Sequence, residues 1–193
     1  MLRELLVKEF APYGLLSGHQ LDLLEAHFNL LARWNARLNL TRIDSIEEAV
    51  RFHYCESLFV ATKLPPGPLT IVDVGSGAGF PGIPIAVLRP ECSVTLVESH
   101  RRKSVFLREA TRHLTNVSVF TGRAENLTGS FEWLVSRAVS PREIIELSLP
   151  GNRALLVGLE EAQEFSHRIA IPWGRRRYLV FHVEHRDNIL RHG

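Results

Sequence analysis

The segment Val72-Asp73-Val74-Gly75-Ser76-Gly77-Ala78-Gly79-Phe80-Pro81-Gly82 constrains the fold more than any other stretch. It joins an apolar, β-prone run at residues 69–74 to a helical pattern at residues 82–89. Glycines in such a turn let the backbone approach a ligand closely, and the helix N-terminus adds N–H donors and a partial positive charge. Gly-x-Gly-x-Gly is shared by several nucleotide-binding folds, so the turn alone selects none of them. Further apolar runs at residues 93–97, 117–120, 133–136 and 153–157 alternate with helical patterns at 101–113 and 141–149. This alternation predicts an α/β fold with a doubly wound, mostly parallel sheet covered on both faces. The tail at residues 177–183 is also strongly β-prone.

The chain before this region reads as helices. Leu2, Leu5, Leu6 and Phe10 recur at helical spacing until Pro12-Tyr13-Gly14 breaks the run. Ser17 is placed to cap a longer helix whose stripe is Leu21, Leu24, Phe28, Leu31 and Leu38, ending near Asn39-Leu40-Thr41. Ser45 and Glu48 have capping-box spacing for another helix. Lys63-Leu-Pro-Pro-Gly-Pro68 then stops helix formation, which divides the chain into a helical extension, 1–63, packed on a core domain, 64–193. No run of eighteen apolar residues occurs and no signal-peptide pattern opens the chain, so a membrane partner is not expected. Two cysteines, Cys55 and Cys92, make no disulfide framework, which suits a reducing cytoplasm. The net charge is only +2, but arginine outnumbers lysine 20 to 3. Arginine's planar fork suits phosphates and base edges, although a GC-rich genome produces the same bias.

Asp73 narrows the ligand class. A dinucleotide places its pyrophosphate at the glycine turn, where a nearby carboxylate repels it. A phosphate-free ligand with a cationic amino-acid head is attracted instead, and S-adenosylmethionine is such a ligand. Glu98 ends the second strand about twenty residues after the glycines, where an acid can hold both ribose hydroxyls. That position fits NAD and S-adenosylmethionine equally. Ala124-Glu125 follows the third strand, where a loop can face the adenine, or where Glu125 is simply a solvated acid.

The chain resembles the bacterial 16S rRNA guanine-N7 methyltransferase family, also called glucose-inhibited division protein B. The segments that carry the resemblance are Asn39-Leu40-Thr41, Asp73 through Pro84, Glu98-Ser-His-Arg-Arg-Lys-Ser-Val-Phe-Leu107 and Val135-Ser-Arg-Ala138, with His53, Glu56 and Ser57 between the first two. The resemblance implies a class I S-adenosylmethionine-dependent methyltransferase fold, Rossmann-like. It places Gly75, Gly77, Phe80, Ala124, Glu125 and Arg137 at the cofactor, joining Asp73, Gly79 and Glu98 from the residue reading. It associates Asn39 and Arg177 with the target base, and Arg101, Arg102 and Lys103 with RNA. Arg175 and Arg176 extend the basic run before the last strand. The family's Lys-Gly pair after the fifth strand is Val157-Gly158 here, which implies loss of a cation near the target. The C-terminal third is short, with little between Glu164 and the last strand.

The reaction so implied moves a methyl group from S-adenosylmethionine to guanine N7 of small-subunit rRNA, in a cytoplasmic monomer that needs no metal. N7 carries its own lone pair, so no general base is required and no catalytic residue is assigned. The alternatives are a methyltransferase of the same fold acting on another RNA or a small molecule, an NAD-dependent oxidoreductase, and a non-catalytic ribosome-binding module. His182 and His185 sit three apart on a β-prone run, where such residues point to opposite faces, so they are not expected to bind metal. Cys55 and Trp34 read as core residues.

Overall fold

Five short apolar strands lie parallel: β1 (Thr70–Val74), β2 (Ser93–Glu98), β3 (Val117–Thr121), β4 (Trp133–Ser136) and β5 (Asn152–Gly158). Two further strands, β6 (His167–Ala170) and β7 (Arg177–His182), form an antiparallel edge on β5. The sheet order is β3-β2-β1-β4-β5-β7-β6. These features come from a computed structural model that describes residues 1–183 apart from Ile43, Ala138 and Arg175. The strand β6 has no counterpart in the sequence reading. Its four residues, His-Arg-Ile-Ala, are mostly exposed and carry no alternating apolar signal.

Strand alternation sorts side chains into two buried clusters. Ile71, Ala154 and Leu156 face one of them; Val72, Val74, Leu155 and Val157 face the other. The first cluster also takes the N-terminal helices. In α1 (Leu2–Phe10), Leu2, Leu6 and Phe10 are buried at a spacing of one turn. In α2 (Gly18–Leu38), Ser17 and Gln20 form a reciprocal capping box, and Leu21, Leu24, Leu30 and Leu31 are buried. The expected stripe members Phe28 and Leu38 are only partly buried, and His27 occupies the buried face instead. Asn39 closes α2 in the left-handed conformation, with φ 47°.

Ser45 accepts a hydrogen bond from Glu48 N–H and opens α3 (Ile46–Ala49). The helical path continues through a π turn (Val50–Cys55) into α4 (Glu56–Lys63), which ends where the proline-rich segment begins. The remaining helices are α5 (Gly82–Leu88), α6 (Arg101–Ala110), α7 (Pro141–Glu146) and α8 (Leu159–Ala162). The first cluster holds residues of α5 and α6, whereas Ile144 of α7 and Ala162 of α8 cover the opposite face. Strand order reverses between β1 and β4, so the carboxyl ends of β1, β2 and β4 open onto a crevice.

Candidate functional site

The glycine turn is held from beneath. Gly75 and Ser76 N–H both donate to Val97 O, each at 3.0 Å, which ties the turn to β2. Gly75 has φ +74°, and a Cβ there would lie 2.5 Å from Val139 Cγ2. A Cβ on Gly82 would lie 2.3 Å from Leu96 Cδ2, so α5 packs on the sheet only because this residue has no side chain. Asp73 sits under this contact, fully buried, with Oδ2 accepting from Gly82 N–H at 3.0 Å. Its Oδ1 has no hydrogen-bond partner among the described residues. Burial pushes its carboxyl up to about 7. Of the carboxyl expected to face a ligand's ammonium group, one oxygen is thus committed to Gly82 N–H. The Asp73 side chain points under the turn and braces the start of α5, because Gly82 offers a free helix-terminal N–H there.

A first cavity of about 290 Å³ lies over the carboxyl ends of β1 and β2, with Gly75, Val97, Glu98, Ala124 and Glu125 on its walls. Glu98 is anchored by two backbone donors, Gly77 N–H to Oε2 at 3.0 Å and His100 N–H to Oε1 at 2.7 Å. A carboxylate has about four acceptor sites, so two bonds leave capacity for a ligand's hydroxyls. Ala124 and Glu125 stand on a 3₁₀ turn (Ala124–Asn126) at the cavity edge. Glu143 of α7 also lines the cavity, and no sequence signal pointed to it. Glu98, Glu125 and Glu143 face one cation, Arg123, so the wall is net acidic.

A second cavity, about 360 Å³, opens beside the π turn and is lined by Phe52, His53, Glu56, Arg137, Gly174 and Arg177. Arg137 follows β4, donates from Nη1 to Phe52 O at 2.8 Å, and lies 5.5 Å from the centre of the Phe80 ring. Phe80 also stacks on His53 at 5.2 Å. Phe80 and Arg137 thus join the glycine turn to this second cavity and do not line the first one. His53 Nε2 donates to Arg42 O at 3.0 Å, while its buried Nδ1 has no partner among the described residues. Burial, then the Arg137 charge, lowers its pKa to about 4, so the ring is neutral. Glu56 accepts from Arg177 Nη2 at 3.3 Å. Burial raises the Glu56 pKa, against the pull of Arg177 and Arg137.

Sequence reasoning missed the support behind the turn. His27 Nε2 donates to Ala78 O at 3.0 Å, and Tyr54 OH donates to His27 Nδ1 at 2.8 Å. Burial holds His27 at a pKa of about 4, so it remains a neutral link between α2 and the turn. The available signal was a histidine within an apolar stripe, since a buried polar group needs partners.

The family described as GidB, rRNA small subunit methyltransferase G, matches residues 20–165. The chain belongs to this family. A GidB relative from Nitrosomonas europaea, named ribosomal RNA small subunit methyltransferase G, is 44% identical over 132 residues, covering 66% of this chain and 60% of the relative. One from Halorhodospira halophila with the same name is 41% identical over 144 residues, covering 73% of this chain and 66% of the relative. The chain thus spans less than two thirds of the length of these curated relatives. Among solved structures, a ribosomal protein L11 methylase from Lactobacillus delbrueckii subsp. bulgaricus aligns with TM-score 0.55 and 15% identity, over 68% of this chain and 78% of that one. A SAM-dependent methyltransferase from Aquifex aeolicus aligns with TM-score 0.55 and 12% identity, over 69% of this chain and 91% of that one. The fold is that of the class I S-adenosylmethionine-dependent methyltransferases.

The other residues that the GidB resemblance singled out are dispersed. Asn39 is an exposed helix cap and lines neither cavity. Arg101, Arg102 and Lys103 form the first turn of α6, and Arg102 also lines a groove with Arg33, Trp34 and Arg37 of α2. Trp34 packs edge-on against Phe106 and donates to Glu109, so it is partly core and partly groove wall. Arg176 is exposed, with φ 60°. Arg175 and His185 lie outside the described residues. Val157, where the resemblance implied a lysine, is buried with Ile144, Ala162 and Phe165 in the second cluster. A lysine there would enter an apolar cluster, whereas Arg177 reaches the cavity beside the N-terminal helices.

Proposed function

We propose that this chain transfers a methyl group from S-adenosylmethionine to guanine N7 of small-subunit rRNA. The observation that carries the reading is the first cavity at the switch point, with an anchored Glu98 and a net acidic wall. Such a wall repels a pyrophosphate and accepts a ligand that is net positive, with a sulfonium and an ammonium against one carboxylate. The donor set fits S-adenosylmethionine: Glu98 for the ribose, Gly75 and Gly77 for close backbone approach, and the 3₁₀ turn for the adenine. That ligand supplies an electrophilic methyl carbon, to which the N7 lone pair bonds as the sulfur–carbon bond breaks. Arg137 and Phe80 shape the boundary between the two cavities, so the chain's own task is alignment. Alignment of this kind is worth on the order of 7 kcal/mol or more. No proton must leave N7, so the reaction asks no general base of the residues around the second cavity.

The same reading makes small-subunit RNA the partner, engaged along the α6 edge by a monomer in the cytoplasm. Among the described residues no helix is long and apolar enough to cross a membrane. Two measurements test the proposal. S-adenosylmethionine and its demethylated product should raise the melting temperature, by about 2.7 kcal/mol of linkage at 100 times Kd, and NAD should not. Nucleoside mass spectrometry of small subunits incubated with the protein should then show 7-methylguanosine. Stabilisation by NAD alone, or no methylated guanosine, would sink the assignment.

A further inference from the structure

We infer that Glu56 reads the Watson–Crick edge of the target guanine in the second cavity, a reading that rests on the function proposed above. Guanine offers two acceptors, N7 and O6, on one edge, and the donors N1–H and N2–H₂ on the opposite edge. The commonest guanine contact, an arginine forked onto N7 and O6, would occupy the lone pair that has to be alkylated. Recognition that leaves N7 free must therefore come from the other edge. A carboxylate is the side chain that accepts there from both N1–H and N2–H₂.

Glu56 is the one carboxylate among the described residues lining this cavity. It begins α4 directly after the π turn, a helix irregularity often found at functional sites. Its Oε2 accepts from Arg177, and Oε1 accepts no hydrogen bond from the described residues. Gly174 packs closely against the pair and leaves no room for a side chain of its own. A Cβ there would lie 2.6 Å from Arg177 Cγ and 2.9 Å from Glu56 Oε1. The cavity adjoins the cofactor side through one segment: Arg137 lines it, and Val139, two residues on, lines the first cavity. Arg177, one third exposed, stands beside Glu56 on the cavity wall and would donate to the O6 oxygen. Adenine would present a lone pair at N1 and no 2-amino group, so the carboxylate would repel it. As N7 takes the methyl group the ring becomes cationic and its N1–H more acidic. The contact to Glu56 thus strengthens in the transition state.

A simpler role, in which the Glu56–Arg177 pair only fastens α4 to β7, predicts no dependence on the base. The test uses small subunits reconstituted with rRNA that carries either guanine or inosine, which lacks the 2-amino group, at the methylated position. Wild type should use inosine about tenfold less well in kcat/KM, the loss expected for a base-edge contact. Glu56→Gln should lower kcat/KM on guanine by about tenfold and reduce the guanine-to-inosine ratio, the non-additivity of two partners in contact. A retained melting shift with S-adenosylmethionine would show that the variant is folded. A wild-type ratio of one, or the wild-type ratio preserved in a folded Glu56→Gln, overturns this inference alone. If Glu56→Gln does not fold, the wild-type ratio decides. If wild type methylates no guanine, the functional reading falls, and this one with it.

Discussion

At Asp73 a single carboxyl is both a structural brace and a source of pH dependence. The group is fully buried, accepts one backbone hydrogen bond and has a pKa of about 7 against an ordinary 3.8. A raised carboxyl pKa means that the folded state favours the protonated form. Its stabilisation is full below pH 3.8 and declines as pH rises towards 7, by up to about 1.4 kcal/mol per pH unit. His27 and His53 act in the opposite sense. Their pKa values fall from 6.5 to about 4, so their contribution is present above 6.5 and is lost as pH drops towards 4. Asp73→Asn keeps an acceptor for Gly82 N–H and removes one of these opposing slopes. Urea denaturation between pH 4 and 8 should show the variant gaining on wild type as pH rises. Parallel curves would show that the carboxyl ionises without cost.

In helix α6 local stability opposes the RNA-binding role proposed for its first turn. Its first turn holds Arg101, Arg102 and Lys103 and no acid, although the N-terminus of a helix carries partial positive charge. Removing these cations should relieve that repulsion by about 0.3–1 kcal/mol. Replacing all three by alanine is therefore expected to raise the protein's stability slightly and to weaken RNA binding across sequences. Each lost phosphate contact should flatten the log–log salt dependence by about 0.7 for single-stranded RNA. Filter binding at several salt concentrations, beside a melting curve, measures both effects. An unchanged slope with a raised melting temperature would leave the triplet as a solvated helix face.

In the whole molecule the N-terminal helices share the buried interior of the sheet. Leu6 and Phe10 of α1 belong to the same buried cluster as Ile71 and Leu96 of the sheet, and all four are fully buried. Leu6→Ala should therefore cost about 2–5 kcal/mol of global stability. Because the cluster is continuous, helical and aromatic signals should still be lost in a single transition with an unchanged m-value. A separate, earlier loss of helical signal would mark residues 1–63 as an independent unit.

Local chemistry was enough to settle much of this chain from its sequence. The glycine turn, the strand and helix alternation, the Ser17 cap and the proline-rich stop act over a few residues, and each appears where its pattern lies. Glu98 was legible for the same reason, since a strand end followed by a helix start fixes where its side chain points. Tertiary structure decided what depends on residues distant in the chain. Asp73 faces inward because Gly82, nine residues on, turns its N–H back over β1. The strand β6 exists because β7 offers a free edge, not because His-Arg-Ile-Ala prefers to be extended. The second cavity takes its walls from the π turn, the segment after β4 and the start of β7. Only folding brings Glu56 and Arg177 together, 121 residues apart in sequence.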